Sequence, residues 1–251
     1  MKIEEIKNYF EYDGQVSRDF GLKILNTFKF ETADEDLSFV SVPALNGDLI
    51  QSNKRFNNVI RSFECHFVPS LTYSTVQELS RGMAAWLRDI GGYKRLYFTG
   101  DNQYYYEAKA YQGLSIARVN DNFSNEITVE FSCKPFKKRR DGEDKINLLD
   151  KQEVGFYNPE KWESEPIFYL QAKGDATITV NGIDYIIRDV DGDFVVDNEK
   201  HEIYNSTGLL NSHAEFPNQK WIAIPNDTAT YIKLSSNVTK ATFKPNWRTL
   251  A

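Results

Sequence analysis

Short alternating segments separated by turn residues run through most of this sequence, and they constrain its fold more than any other feature. The clearest example is Asn181-Gly182, which lies between the segments 177–180 and 183–187. Asn and Gly accept the positive φ angles of a tight hairpin turn, and the flanking segments are rich in residues that favour strands. Further turns are predicted at Lys173-Gly174-Asp175, Asp191-Gly192 and Asn226-Asp227. The predicted strands are 166–172, 177–180, 185–188, 194–196, 202–204, 221–224, 230–234 and 240–243. The second half is therefore predicted to be a β-sandwich or jelly roll.

Two segments of the first half alternate with the period of a strand that has one buried face. In 62–67 the apolar positions are Phe63, Cys65 and Phe67, and in 126–134 they are Ile127, Val129, Phe131 and Cys133. A period of two places such residues on one side of a sheet. The reversal signal Asn46-Gly47-Asp48, with Pro43 before it, precedes the first of these strands. This half is therefore predicted to be an antiparallel β domain.

One helix is predicted, over residues 74–90. Its start is assigned to a capping box of Ser74 with Gln77, and its end to Gly91-Gly92. Gly82 inside the helix suggests close approach of another backbone. The apolar stripe is Val76, Leu79, Met83, Trp86, Leu87 and Ile90.

Charge divides the chain unevenly. Of the formal charge of −6, residues 1–140 contribute 19 Lys and Arg against 18 Asp and Glu, and residues 141–251 contribute 11 against 18. Neither half has the clustered basic surface of a nucleic-acid-binding protein. The basic run 137–140 lies beside Pro135 and Gly142, which is typical of a solvated linker. The predicted organisation is a first domain at 1–134, a basic linker at 135–156 and a second domain at 157–251.

No catalytic, cofactor-binding or metal-ligating residue is predicted. His66, His201 and His213 lack ligand spacing, and Cys65 and Cys133 are interpreted as buried free thiols. The segment 189–193 has the acidic residues of a calcium loop without its closing Glu, and it is interpreted as a solvated turn. Trp162, Trp221 and Trp247 are expected to lie in the core, although a sugar-stacking face remains an alternative.

Three groups of residues in the first half carry a family resemblance. They are the segment 13–22 (DGQVSRDFGL), Val42-Pro43 with Asn46-Gly47-Asp48-Leu49, and the strand 63–67. Their order and spacing resemble the N-terminal signature of distal tail proteins of long-tailed phages that infect Gram-positive bacteria. This sequence departs from the family pattern at Ala44-Leu45, where a Gly-Arg pair is common, so no role of that pair can be transferred.

The resemblance implies a mainly β protein, with an N-terminal antiparallel domain that carries one helix and a C-terminal galectin-like β-sandwich. It implies a structural hub at the phage tail tip, in which the first domain closes into a homo-hexameric ring. That ring would join the tail tube to tail-tip, receptor-binding or baseplate proteins and leave a channel for the tape measure and DNA. No enzyme activity, no cofactor and no specific nucleic acid are implied.

The charged N-terminus resembles no signal peptide, and no apolar run has membrane-spanning length. We therefore expect assembly in the host cytoplasm, no membrane contact and a final location in the virion. A second class of function remains open, namely a carbohydrate-binding or cell-wall-degrading protein with a sugar-binding β-sandwich.

Overall fold

A computed structural model describes residues 6–25, 31–88, 90–110, 115–119, 124–149 and 154–251. The chain divides into two compact units, one made of Met1–Lys137 with Leu250–Ala251 and the other of Lys138–Thr249. The chain therefore passes between the units twice. The described residues are mainly antiparallel β-strands with one α-helix, as predicted.

The first unit is built on a long antiparallel sheet. Its elements are β1 (Phe10–Tyr12), β2 (Gln15–Val16), β3 (Leu22–Ile24), β4 (Glu35–Val40), β5 (Leu49–Phe56), β6 (Val59–Phe67), α1 (Val76–Leu87), β7 (Lys94–Phe98), β8 (Tyr104–Ala110), β9 (Ser115–Val119), β10 (Ser124–Cys133) and β11 (Phe136–Arg139). The main sheet has the order β2-β1-β7-β8-β10-β6-β3, with β9 paired to β10 and β11 paired to β8. The strands β4 and β5 form a separate two-stranded sheet.

The alternation predicted for the first half is confirmed in β6 and β10. These strands pair antiparallel, with Val129 opposite Phe63 and Ile127 opposite Cys65. All the apolar positions predicted for this face are buried, while His66 is only half-buried on the other face of β6. The two strands therefore supply the floor of the first core.

The N-cap of helix α1 is Thr75, one residue after the predicted cap Ser74. The Oγ1 atom of Thr75 accepts the N–H of Glu78 at 3.3 Å, and Oε2 of Glu78 accepts the N–H of Thr75 at 3.2 Å. The predicted capping box of Ser74 with Gln77 is therefore wrong. Both residue pairs have the required spacing, and the pair that carries a carboxylate forms the stronger, charge-assisted bonds.

The end of α1 also differs from the prediction. The helix ends at Leu87 with Arg88 as its cap, and Ile90 is fully exposed instead of completing the buried stripe. Gly91 and Gly92 are not in the left-handed conformation predicted for a helix stop. At Gly82 the close neighbour is the Tyr73 side chain, whose ring would lie 2.5 Å from an added Cβ, and not a backbone.

The second unit is one antiparallel sheet that encloses its own core. Its strands are β12 (Ile146–Asn147), β13 (Val154–Phe156), β14 (Ile167–Val180), β15 (Ile183–Asp197), β16 (Glu202–Tyr204), β17 (Ala214–Glu215), β18 (Thr230–Leu234) and β19 (Val238–Lys244). The main order is β12-β19-β14-β15-β16, and β18 pairs with both β13 and β14. Inward side chains of β14, β15 and β19 form most of the second core.

The turn at Asn181-Gly182 is confirmed, because Val180 pairs with Ile183 and both turn residues have positive φ. The turns predicted at 173–175 and 191–192 are wrong, since both lie inside the long strands β14 and β15. Ala172 lies opposite Gly192, and the register shifts between Gly174 and Ala176. Gly174, with φ of 86°, therefore lies at a bulge in a continuous hairpin, whereas Gly192 is paired in register. The predicted strand 221–224 is also wrong, because its only pairing is a bridge from Ile224 to Ser164.

The region predicted as a basic linker contains three short strands. Within 135–156, strands β11, β12 and β13 account for residues 136–139, 146–147 and 154–156, while 150–153 lie outside the described residues. The last strand of the chain, β20 (Arg248–Leu250), pairs with β11. Ala251 is buried in the first core and donates its N–H to the carbonyl of Pro135 at 2.7 Å.

The capping geometry of α1 leads to a direct prediction. Thr75→Ala should lower the opening free energy of the helix by about 1 kcal/mol, because the N–H of Glu78 loses its acceptor. Gln77→Ala is the matched control and should change it by less than about 0.5 kcal/mol, since Gln77 is an exposed helix position. Hydrogen exchange of the α1 amides measures both values. Equal effects of the two substitutions would contradict the assignment.

Candidate functional site

Strands β4 and β5 form a hairpin over residues 35–56 that is separate from the main sheet, and we call it the exposed hairpin. Nearly all its residues are exposed, including large apolar ones. Phe39 is 63% exposed and Ile50 is 66% exposed. The exposed apolar residues of the hairpin are Phe39, Val40, Leu45, Leu49 and Ile50.

The register places these apolar residues on both faces of the hairpin. Phe39 lies opposite Ile50, and the next pair, Val40 with Leu49, lies on the opposite face. A two-stranded sheet is marginal by itself in water, and an exposed apolar surface of this kind marks an interaction site. In the described part of the chain, each of these two strands also has one unpaired edge, which is open to further strand pairing.

Polar contacts along the hairpin hold its two strands together. Oγ of Ser52 donates to Oε1 of Glu35 at 2.5 Å, and Nε of Arg55 donates to Oδ2 of Asp36 at 2.6 Å. Nearer the tip, Oγ of Ser41 donates to Oδ1 of Asp48 at 2.6 Å. The hydrogen bond from Arg55 lowers the pKa of Asp36, so this carboxylate stays charged at neutral pH. The apolar faces are thus presented on a defined scaffold.

The base of the hairpin is anchored in the first core. Ala33 is buried, and its N–H donates to the carbonyl of Ala251 at 3.0 Å. Phe56 packs against the core and meets the Phe136 ring edge-on, with centroids 5.8 Å apart. Anchoring at the base leaves the distal apolar pairs free for another molecule.

The tip of the hairpin contains the predicted reversal. Gly47 has φ of 87° and Ala44 has φ of 65°. Ala in the left-handed region carries a steric cost of about 1 kcal/mol that Gly does not carry. Ala44 therefore holds a backbone conformation that Gly would adopt without this cost.

These exposed apolar pairs were not predicted from the sequence. The available signal was two consecutive apolar residues on each side of the turn, Phe39-Val40 before it and Leu49-Ile50 after it. Consecutive apolar residues in a strand face opposite sides, so one of each pair must be exposed or covered by a partner.

The candidate residues for metal binding or catalysis lie in separate local environments. Among the described residues, no group of three or more His, Cys, Asp or Glu has metal-binding geometry. His201 stacks on Trp221 with ring centroids 5.2 Å apart, and Nδ1 of His213 lies 2.7 Å from the carbonyl of Arg188. His66 belongs to the first unit, and His201 and His213 belong to the second. The segment 189–193 lies within β15 and not in a loop.

The tryptophans predicted for the second core occupy different environments. Trp247 is buried and Trp221 packs partly buried against the core. Trp162 is half-buried. Of the helices in the described ranges, none has the length and apolar character needed to cross a membrane.

Comparisons with known proteins identify the fold. No family profile and no curated protein sequence matches this chain. The crystal structure of the SPP1 Dit (gp 19.1) protein, described as a paradigm of the hub adsorption apparatus in phages infecting Gram-positive bacteria, matches with a TM-score of 0.69. Its sequence identity is 13%, and the match covers 94% of this chain and 96% of that one.

Structures of the phage P2 baseplate in its activated conformation also match. The calcium form has a TM-score of 0.52 and the strontium form 0.51, each at 10% identity over 97% of this chain and 98% of that chain. The chain thus has the mainly β fold of phage tail hub and baseplate proteins. Within that class its fold is that of a distal tail protein, as the sequence resemblance predicted.

Both cysteines lie in the first core, where they contact backbone carbonyls. Sγ of Cys65 lies 3.7 Å from the carbonyl of Phe63, and Sγ of Cys133 lies 3.8 Å from that of Phe131. Burial raises the pKa of each thiol to about 12. The prediction of buried free thiols is confirmed.

These thiols should resist modification in the folded protein. A thiol reagent at about pH 8 should label neither cysteine in the native chain and both in urea, because only the thiolate reacts. The raised pKa favours the folded state below the unfolded value of 9.0, and this contribution is lost as the pH rises toward about 12. Mass spectrometry counts the labels. Rapid labelling of the native chain would contradict the described burial.

Proposed function

We propose that this protein is the structural hub of a phage tail tip and that six copies close into a ring. The ring joins the tail tube protein to tail-tip, receptor-binding or baseplate proteins and leaves a channel for the tape measure and DNA. The observation that carries the proposal is the distal tail fold, which extends over 94% of the chain. The protein acts by binding, with no catalytic turnover and no cofactor.

The exposed hairpin supplies one of the two surfaces that such a ring requires. Copies in a ring meet head to tail, so each must present two different complementary patches. An eight-residue strand such as β5 spans about 26 Å, which is long enough to reach a neighbouring copy. Burying Phe39 and Ile50 against that neighbour removes apolar surface from water and drives closure.

The second unit serves contacts outside the ring. Residues 138–249 carry 14 Lys and Arg against 18 Asp and Glu, a net charge of −4. A negative surface favours solubility and selects positively charged partner surfaces more than it stabilises a self-interface. We propose that the ring surface lies in the first unit and that assembly takes place in the host cytoplasm before the protein joins the virion.

The oligomer and its dependence on the hairpin can be tested together. The full chain should have the mass of a hexamer by light scattering, and the double variant Phe39→Glu, Ile50→Glu should be a smaller species. Carboxylates at these positions cannot be buried without a large desolvation cost. The matched control is Ser38→Glu, Gln51→Glu, which adds the same charge at another cross-strand pair of the hairpin.

Two outcomes would contradict this proposal. A full chain that remains monomeric at about 100 µM and moderate salt would argue against self-assembly, since an interface of standard size supports at least micromolar affinity. Equal disruption by both double variants would show that charge, and not loss of the apolar pair, dissociates the ring. Circular dichroism must show that both variants remain folded.

The division of labour can be tested by removing the second unit. A chain that ends near Lys134 retains most of the first core but loses β11, β20 and the buried Ala251. Replacing residues 140–247 by a short Gly-Ser loop retains them. The loop is feasible because the N–H of Arg139 donates to the carbonyl of Trp247 at 2.9 Å.

The internally deleted chain should fold, form the ring and have a higher melting temperature than residues 1–134. Light scattering and thermal unfolding measure these properties. A deleted chain that folds but stays monomeric, beside a full-length ring, would place the assembly surface in the second unit.

A further inference from the structure

A groove of about 510 Å³ lies in the second unit, on the outer face of its sheet. Two half-buried tyrosines, Tyr169 and Tyr204, contribute to its lining, together with side chains of β15 and β19. Its volume lies within the range of small-ligand sites in proteins. Nothing in the proposed hub function uses this groove.

Strand register explains how the groove is built. Val195 of β15 lies opposite both Tyr169 of β14 and Tyr204 of β16, so the three residues form one row across the sheet. Two strand spacings separate the tyrosines, which places their backbones about 9.6 Å apart. Thr242 extends this row on β19. The row therefore has an apolar floor with an aromatic ring at each side.

A second row carries opposite charges that do not meet. Gln171 of β14 lies opposite Asp193 of β15 on one side and opposite Lys240 of β19 on the other. The strands that carry the carboxylate and the ammonium group are therefore two strand spacings apart. Within the described part of the chain, neither charged side chain forms an ion pair or hydrogen bond. The row lies about 6.7 Å from the tyrosine row, because side chains on one face recur every two residues.

One of the tyrosines is held in place from outside the groove. Nζ of Lys145 lies 4.2 Å from the centroid of the Tyr169 ring, which fits a cation–π contact. Burial, with smaller contributions from Tyr204 and Asp197, raises the pKa of Tyr169. Its hydroxyl therefore stays protonated at neutral pH and can donate a hydrogen bond.

We propose that this groove binds a neutral oligosaccharide. A sugar ring presents a face of C–H groups, which packs on an aromatic ring, and a rim of hydroxyls that both donate and accept hydrogen bonds. The tyrosine row meets the first requirement, and Asp193, Lys240 and Thr242 meet the second. The lining carries one positive and one negative charge, from Lys240 and Asp193, so it does not select a charged ligand.

A peptide strand fits the same groove less well. The floor strands β14 and β15 are each paired on both sides, so they offer no free backbone edge for an added strand. Recognition must therefore come from side chains alone. A ligand that carries its own donors and acceptors around a flat apolar face matches this surface, whereas an extended backbone does not.

The test uses the full chain and an array of neutral oligosaccharides built from hexoses and N-acetylhexosamines. Saturable binding is expected to at least one member, with little change between about 50 mM and about 500 mM salt, because the ligand is uncharged. Tyr169→Ala and Tyr204→Ala should each weaken binding by about tenfold or more. Tyr157→Ala is the matched control, since Tyr157 is exposed in the same unit but outside the groove.

Several results would overturn the proposal. They are no binding to any array member, binding that Tyr169→Ala leaves unchanged, and binding confined to an anionic polymer or to an extended peptide. Equal melting temperatures of the variants and the unchanged chain exclude unfolding as the cause of lost binding. Ring formation by the tyrosine variants should be unaffected, so failure here is separate from failure of the hub proposal.

Discussion

The first unit depends on a continuous stack of aromatic rings. Phe10 stacks on Phe63 with centroids 4.7 Å apart and on Trp86 at 5.6 Å, and Trp86 stacks on Phe20 at 4.5 Å. These rings belong to β1, β6, α1 and the turn before β3, so one set of contacts joins elements that are distant in sequence. Nε1 of Trp86 also donates to the carbonyl of Tyr12 at 2.9 Å, which satisfies its only polar group.

That core explains why the exposed hairpin can be an assembly element. The hairpin contributes little burial of its own, and its base joins the core at Ala33 and Phe56. The apolar pairs beyond that point are exposed, and another molecule would bury them. A rigid base with an uncovered apolar end suits a protein whose proposed role is to hold copies of itself together.

The return of the chain to the first unit links the two halves of the sequence. Ala251 fills part of the first core, while Trp247, four residues earlier, belongs to the second core. Gly142 faces the backbone of Trp247, and an added Cβ there would lie 2.6 Å from its nitrogen. The basic residues in this region also have structural partners, such as the ion pair of Lys138 with Glu199 at 2.6 Å. Residues that looked like a solvated linker are therefore structural.

The sequence by itself determined the class of fold, the two central strands of the first core and the hairpin at Asn181-Gly182. These features follow from period-two burial and from φ preferences, which act within a few residues. Tertiary structure decided the positions at which similar local signals led to a different local structure. Gly174 and Gly192 resemble turns but lie in paired strands, because a long-range ladder outweighs a local preference for reversal. Tyr169 faces Tyr204 across Val195 because pairing register depends on residues far apart in the chain.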